Sequence, residues 1–206
     1  MGRPETDVIK RSAFTVLGVG LYLSQNFKDA LSVQLAQSST LLRVGAPANC
    51  FLIMQNNLAN TYRGLGQEEE ALGMRRDAYL GTLKLNGEDD LQTIMMANNY
   101  AYSLKELARV EEAKALYRKY MLVSQRVLGD CDHRTLTMKK KFAQTVYEDA
   151  SATLRDLREA VTTLEETART ARRVMGSAHP LTSVIKESLQ AARAALRARE
   201  PPSETS

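Results

Sequence analysis

The feature that most constrains the fold is an internal repeat of 42 residues. Gly45, Gly87 and Gly129 are spaced by that step, and Gly176 continues the series after 47 residues. A repeat of this length is a small supersecondary unit that cannot bury its apolar face alone, so neighbouring units must stack. The sequence therefore predicts a stacked array in place of a single central core.

Several other positions keep the same step and match in size or polarity. Repeated small and apolar residues of this kind are expected where equivalent helices pack in successive units. The matching sets are Ala59, Ala101 and Ala143; Met54, Met96 and Met138; Leu58, Tyr100 and Phe142; and Tyr62, Leu104 and Val146.

Each unit contains two apolar patterns with a helical period, which we call helices A and B. In the second unit, helix A carries a stripe that includes Phe51, Met54 and Leu58. Helix B opens with acidic residues followed by Ala71, and negative charge suits the first turn of a helix. The alanines Ala59 and Ala71 allow a close helix crossing, so each unit is predicted to be a helical hairpin.

The repeated glycines predict where each helix B ends. A glycine just past a helix can take a left-handed conformation and let the chain turn. Pro47 and Pro180 then fall near the start of the next helix A, where a missing amide proton has little cost. The array is expected to close with an apolar-faced helix after Gly176, because stacked units need a cap with a polar outer side.

These signals predict an all-α chain, an α-α superhelix or solenoid of about four hairpins with a C-terminal capping helix. The first hairpin needs one gap to align, and the fourth has five extra residues between its two helices. The predicted boundaries are an N-terminal tail 1–7, a repeat domain 8–200 with hairpins at about 8–44, 45–86, 87–128 and 129–175, a capping helix 177–200, and a disordered tail 201–206.

The repeat resembles a known family. Residues 56–62 read N-N-L-A-N-T-Y, followed by Gly66 and the E-E-A string at 69–71, which is similar to the core of kinesin light chain tetratricopeptide repeats (TPRs). The sequence departs from that pattern at Ala108, which replaces the turn glycine, and at 139–143, where K-K-K-F-A replaces N-N-L-A. No heptad coiled coil precedes the repeats, so a kinesin motor subunit is disfavoured.

The resemblance implies a binding groove along the A helices. If Leu58, Ala59 and Tyr62 point inward, the opposite stripe of helix A lines the concave surface. The candidate groove residues are polar or cationic and recur in three units: Asn56, Asn57, Asn60 and Arg63; Asn98, Asn99, Tyr102 and Lys105; and Lys140, Lys141, Gln144 and Tyr147.

Two functions remain open from these residues. Asparagine amides can pair with an extended peptide backbone and lysine or arginine favours carboxylates, so one hypothesis is an adaptor for a protein or peptide, possibly acidic. The alternative is an assembly scaffold that acts through its convex face or by self-association as a homo-oligomer. The same polar stripe could also be an ordinary solvated helix face.

The sequence disfavours an enzyme and predicts no cofactor or metal. It lacks phosphate-loop, dinucleotide and nucleophile-elbow motifs, and it has only two histidines. The consecutive residues Cys131, Asp132 and His133 are a weak candidate for ligands or a thiol–imidazole pair, whereas His179 is expected to start a helix. The formal charge of +4 is mild for nucleic acid, and the apolar run 13–23 is too short for a bilayer. A cytoplasmic protein without nucleic-acid or membrane partners is expected.

Overall fold

The structure, a computed structural model, describes the backbone of residues 4–200 and the side chains of residues 12–200. Within that part of the chain it consists of helices joined by short connections, with no strand. The predicted tail 201–206 lies outside the described residues. The helices are α1 (Pro4–Leu23), α2 (Phe27–Arg43), α3 (Ala48–Gly64), α4 (Glu68–Asn86), α5 (Leu91–Glu106), α6 (Val110–Leu128), α7 (His133–Tyr147), α8 (Leu154–Met175) and α9 (Pro180–Arg199).

These helices fall in the predicted order of A and B pairs, with one difference at the N-terminus. Helix α1 begins at Pro4, although the apolar pattern placed its start near Val8 and assigned 1–7 to a tail. A proline at the first position of a helix needs no amide partner, which suits this start. None of the helices among the described residues is long and apolar enough to cross a membrane.

The chain divides into two compact units, residues 1–103 and 104–206. In the first unit α1 packs on α2, α2 on α3, and α3 on α4. Its core includes Leu41, Met54 and Leu58, and the crossing alanines Ala59 and Ala71 are buried as predicted. Small side chains at these points let the two helices of the hairpin approach closely.

In the second unit α6 packs on α7, α7 on α8, and α9 on both α7 and α8. The largest fully buried side chains include Tyr117, Tyr120 and Phe142. Helix α9 contributes Ile185 and Ala192 to the core, so it covers the apolar side of the last hairpin as the capping helix was predicted to do.

The repeated glycines end the B helices in a backbone conformation that other residues avoid. Gly87, Gly129 and Gly176 are the residues just past α4, α6 and α8, with φ of 86°, 85° and 86°. Their ψ values of 177°, 165° and 166° place them in a region that is essentially restricted to glycine. The predicted positive φ is confirmed, and the recurrence of glycine at this step has a steric cause.

The turn between helices A and B takes a positive φ in the first three hairpins. Gly66 supplies it in the second hairpin with φ 79°, but Gln25 and Ala108 take φ of 61° and 57° at the corresponding turns. A side chain in this region costs about 1 kcal/mol or more because its Cβ lies close to the backbone. The chain therefore turns with a positive φ at Ala108 as it does at Gly66, but the alanine adds backbone strain that glycine would not.

Candidate functional site

All twelve candidate groove residues lie on the A helices α3, α5 and α7, and every one is half-buried. Half-burial is expected for polar side chains that line a concave surface. The first unit carries seven of them, from Asn56 to Tyr102, and the second unit carries the remaining five, from Lys105 to Tyr147. The two sets are described separately.

In the first unit, asparagines from α3 and α5 form a hydrogen-bonded line. Asn99 donates through Nδ2 to Oδ1 of Asn56 over 3.0 Å, and Asn98 donates through Nδ2 to Oδ1 of Asn99 over 3.1 Å. Oδ1 of Asn98 is buried and accepts no hydrogen bond from the described residues. Because buried polar atoms are normally paired, this carbonyl oxygen is an unmet acceptor at the end of the line.

An arginine and two tyrosines continue the same surface. Arg63 donates to the hydroxyl oxygen of Tyr102 over 3.2 Å and to that of Tyr22 over 3.1 Å. Its guanidinium carbon also lies 5.4 Å from the centre of the Tyr102 ring, which is within the range of a cation–π contact. Arg63 and Tyr102, which are separated by almost one repeat in sequence, are thus brought into direct contact.

Arg75 of α4, which the sequence analysis missed, donates hydrogen bonds to the helices that carry this surface. Arg75 is only 3% exposed. It donates to Oδ1 of Asn60 over 2.6 Å, to Oγ of Ser103 over 2.5 Å and to the backbone oxygen of Asn99 over 3.3 Å. A planar guanidinium with several donors in fixed directions suits such a junction, so Arg75 fixes α3 relative to the adjoining part of α5.

A signal for Arg75 was present in the sequence. It falls on the same helical stripe as Ala71, Ala78 and Thr82, all of which are buried. Its neighbour Arg76 lies off that stripe and is exposed. A polar residue on an apolar stripe could have been read as a buried hydrogen-bonding group.

Asn57 is placed apart from the other asparagines. It lines a cleft of about 480 Å³ among α1, α2 and α3, together with Val16, Leu41, Ile53 and Met54. This cleft is mainly apolar, whereas Asn56 and Asn99 contact each other. The sequence grouped Asn56 and Asn57 because they are adjacent, but consecutive residues of a helix point about 100° apart.

In the second unit one groove lysine, Lys105, is paired with a carboxylate. Lys105 lies 2.6 Å from Oε2 of Glu148, and Gln144 donates to Oε1 of the same residue over 2.7 Å. Lys140 in turn donates to Oε1 of Gln144 over 2.8 Å. Glu148 was missed by the sequence analysis because it follows the last residue of α7, outside the recurring stripe.

Burial is the main cause of the pKa shifts of Lys140 and Tyr147 in the second unit. Burial lowers the pKa of Lys140, and the charge of Lys105 lowers it further, while Glu148 and Glu187 oppose the shift. The pKa of Tyr147 is raised, mainly by burial, although a hydrogen bond with Ser188 of α9 acts in the other direction. The groove side of this unit is therefore polar and mixed in charge, and less cationic than its lysines suggested.

Two of the weaker candidates, Asp132 and His179, cap helices. Asp132 caps α7 by accepting from the backbone N–H of Arg134 over 2.8 Å. His179 caps α9, since its Nδ1 accepts from the N–H of Leu181 over 3.1 Å, as expected for a residue that starts a helix. Cys131 and His133 are exposed. The described residues contain no group of three His, Cys, Asp or Glu side chains that could hold a metal ion.

Comparison with known families identifies the repeat. The tetratricopeptide repeat model matches residues 52–91 and 93–134, which hold the second and third hairpins. This part of the chain consists of tetratricopeptide repeats. The predicted repeat type is confirmed by these matches, and tetratricopeptide repeats are in general a protein-interaction fold. The comparison with curated protein sequences found no match.

Solved structures confirm the fold class along nearly the whole chain. The kinesin light chain nearly identical TPR-like repeats of Podosopora anserina have a TM-score of 0.76 at 17% identity, covering 97% of this chain and 90% of that chain. A single-residue variant of the same protein gives 0.77 with the same identity and coverage. BtubC (BKLC) from P. vanneervenii gives 0.61 at 16% identity, covering 94% of this chain and 83% of that chain. The predicted all-α repeat superhelix of the kinesin light chain kind is thereby confirmed as the fold.

Proposed function

We propose that this tetratricopeptide repeat chain is a non-catalytic adaptor that holds an extended peptide segment of a protein partner along its A helices. The observation that carries the proposal is the line Asn56, Asn99 and Asn98, which ends in a buried carbonyl oxygen that has no donor among the described residues. An extended peptide presents backbone N–H and C=O groups at regular intervals, and asparagine amides can pair with both. A peptide N–H would satisfy the free oxygen of Asn98 after a small side-chain adjustment.

A partner with carboxylate groups suits the first unit. The guanidinium group of Arg63 lies half-buried beside the asparagine line. Arg63 could donate to an incoming carboxylate, and such charge-assisted bonds are stronger than neutral ones. In the second unit Glu148 already neutralises part of the positive charge, so we place the acidic preference on the first unit. This role requires no cofactor, nucleic acid or membrane, and we propose that it operates in the cytoplasm.

A peptide library displayed on phage and selected on the wild-type chain tests the proposal. Selected peptides are then measured by fluorescence anisotropy against the variant Asn56→Ala/Asn99→Ala and against the control Lys84→Ala/Gln190→Ala, whose positions are exposed on other helix faces. We expect roughly tenfold weaker binding by the asparagine variant and no change in the control, since each hydrogen bond lost from a buried site has an appreciable cost. Equal binding by all three proteins would refute the groove.

The alternative, assembly through self-association, draws support from one observation. Helix α1 carries an apolar stripe whose members Val16 and Leu23 are 72% and 73% exposed, with Val19 between them. Exposed apolar stripes of this kind often mark protein interfaces. Sedimentation equilibrium over a range of concentrations distinguishes the two functions: a mass that rises with concentration and falls in Val16→Ser/Leu23→Ser favours assembly.

A further inference from the structure

A second candidate surface lies between α8 and α9 and contains none of the groove residues discussed above. The two helices enclose an open groove of about 380 Å³. Four of its lining residues are basic, two are apolar and one is acidic: Arg169, Arg172, Lys186 and Arg193; Ala168 and Leu189; and Glu165.

The two helices set the order of these residues along the groove. The short connection 176–179 turns the chain back on itself, so α8 and α9 run antiparallel. Arg193 donates to Oε1 of Glu165 over 2.6 Å, which pairs the charges at the end remote from the connection. Arg172 and Lys186 therefore lie toward the connection, and Ala168 and Leu189 lie between the two ends.

The end of the groove near the connection holds positive charge that is not neutralised. Arg169, Arg172 and Lys186 are exposed, and none of them forms an ion pair with another described residue. Among the lining residues the one carboxylate, that of Glu165, is paired with Arg193. Like charges in one groove repel each other, so an anion bound there relieves the repulsion as well as adding attraction.

We propose that this basic groove binds an acidic peptide segment that carries an aliphatic side chain between its carboxylates. The half-buried Ala168 and Leu189 supply an apolar floor on which such a side chain can rest. The unpaired cations Arg169, Arg172 and Lys186 lie on the connection side of that floor and match carboxylates of the peptide there. Arg193, which is paired with Glu165, lies on the other side. A bare phosphate would use the cations but leave the apolar floor exposed, so the combination of both favours a peptide.

The proposal is tested with a fluorescein-labelled peptide of sequence E-E-L-E-E-L-E-E and the full chain, by fluorescence anisotropy. The variant Arg169→Gln/Arg172→Gln/Lys186→Gln is expected to bind roughly tenfold or more weakly, because three charge-assisted contacts are lost. A peptide in which serine replaces leucine should also bind more weakly, because it cannot occupy the apolar floor. Circular dichroism melting checks that these surface changes leave the fold intact.

A matched control separates local recognition from net charge. Lys28→Gln/Arg43→Gln/Lys84→Gln changes the same number of exposed cations in the first unit and should leave binding unchanged. Equal weakening by both triple variants would show that the peptide responds only to overall charge, and that result overturns the proposal. Undetectable binding of the peptide at low salt overturns it as well.

Two further measurements separate this groove from the other possibilities. The variant Asn56→Ala/Asn99→Ala should weaken binding of this peptide less than the Arg169, Arg172 and Lys186 changes do, and a greater loss there would place the peptide on the A helices instead. Tighter binding of a DNA duplex or of phosphatidylserine vesicles than of the peptide, abolished by the Arg169, Arg172 and Lys186 changes, would assign the groove to another class of partner and overturn the proposal.

Discussion

The long connection of the fourth hairpin depends on one carboxylate, that of Asp149. Asp149 accepts from Nζ of Lys114 over 2.5 Å and from the backbone N–H and the hydroxyl of Ser151 over 2.8 and 2.7 Å. The side chains of Asp149 and Lys114 are each only 9% exposed. Arg199 of α9 adds donors to the backbone oxygens of Asp149 and Ala150 over 3.2 and 2.6 Å.

We predict that Asp149→Asn destabilises the second unit by about 2 kcal/mol at pH 7. Burial alone would raise the pKa of Asp149, but the bonds from Lys114 and Ser151 outweigh it and lower the pKa from 3.8 to about 2. Each unit of such a shift corresponds to about 1.4 kcal/mol of preferential stabilisation of the charged form. The variant keeps the size of the side chain but loses the charge. Among the described residues, Lys114 then retains the exposed Glu111 as its one carboxylate partner in hydrogen-bond contact.

The pH dependence has a definite sign. Because the pKa of Asp149 is lower in the folded state, its contribution is complete above the unfolded pKa of about 4 and is lost as the pH falls toward about 2. Urea unfolding of wild type and variant, followed by circular dichroism between pH 7 and pH 2, should show a difference that shrinks through that window.

The control for this experiment is Asp77→Asn, an exposed carboxylate that pairs with its neighbour Arg76. Exposed pairs contribute little, so we expect a change below about 0.5 kcal/mol at every pH. A difference between wild type and Asp149→Asn that is small at pH 7, or that does not shrink with acid, would refute the assignment of the stabilisation to the charge of Asp149.

The other predictions concern stability and are measured by urea unfolding. Arg75→Met should destabilise the first unit by about 3 kcal/mol, since it leaves the buried partners of the guanidinium unpaired; a change below about 1 kcal/mol would contradict that role. Gly129→Ala should cost about 1–3 kcal/mol at its φ of 85°, whereas Gly73→Ala, inside α4 with open space around the added methyl, should stabilise by about 1 kcal/mol. Ala108→Gly should stabilise by up to about 1 kcal/mol by relieving its positive φ, and a loss of stability would show that the turn is not strained.

Repeat periodicity was sufficient to predict the fold because it reports local packing. The recurring Ala59 and Ala71 mark helix crossings, and the glycines at the 42-residue step mark helix ends. Small residues at helix crossings and glycines at helix ends are both needed within each hairpin, so they recur at regular intervals in the sequence. The start of α1 at Pro4 was missed because the first hairpin departs most from that regularity.

The candidate site was only partly predictable. Helical spacing correctly placed Asn56, Asn60 and Arg63 among half-buried residues of one helix. It could not show that Glu148 lies against Lys105, because that contact joins residues from two hairpins, outside the recurring stripe.

The sequence by itself determined the helices, their order and their ends, because helical period, small crossing residues and positive-φ glycines act over a few neighbouring residues. Only the tertiary structure decided which charges are neutralised and which are left open. Lys140 and Arg169 are both cationic residues on helices of the same unit, but Lys140 has Glu148 and Glu187 in its electrostatic surroundings and Arg169 forms no ion pair within the described chain. Coulombic interaction depends on the distance between charges in space and on their burial, and the local pattern of the sequence predicts neither quantity.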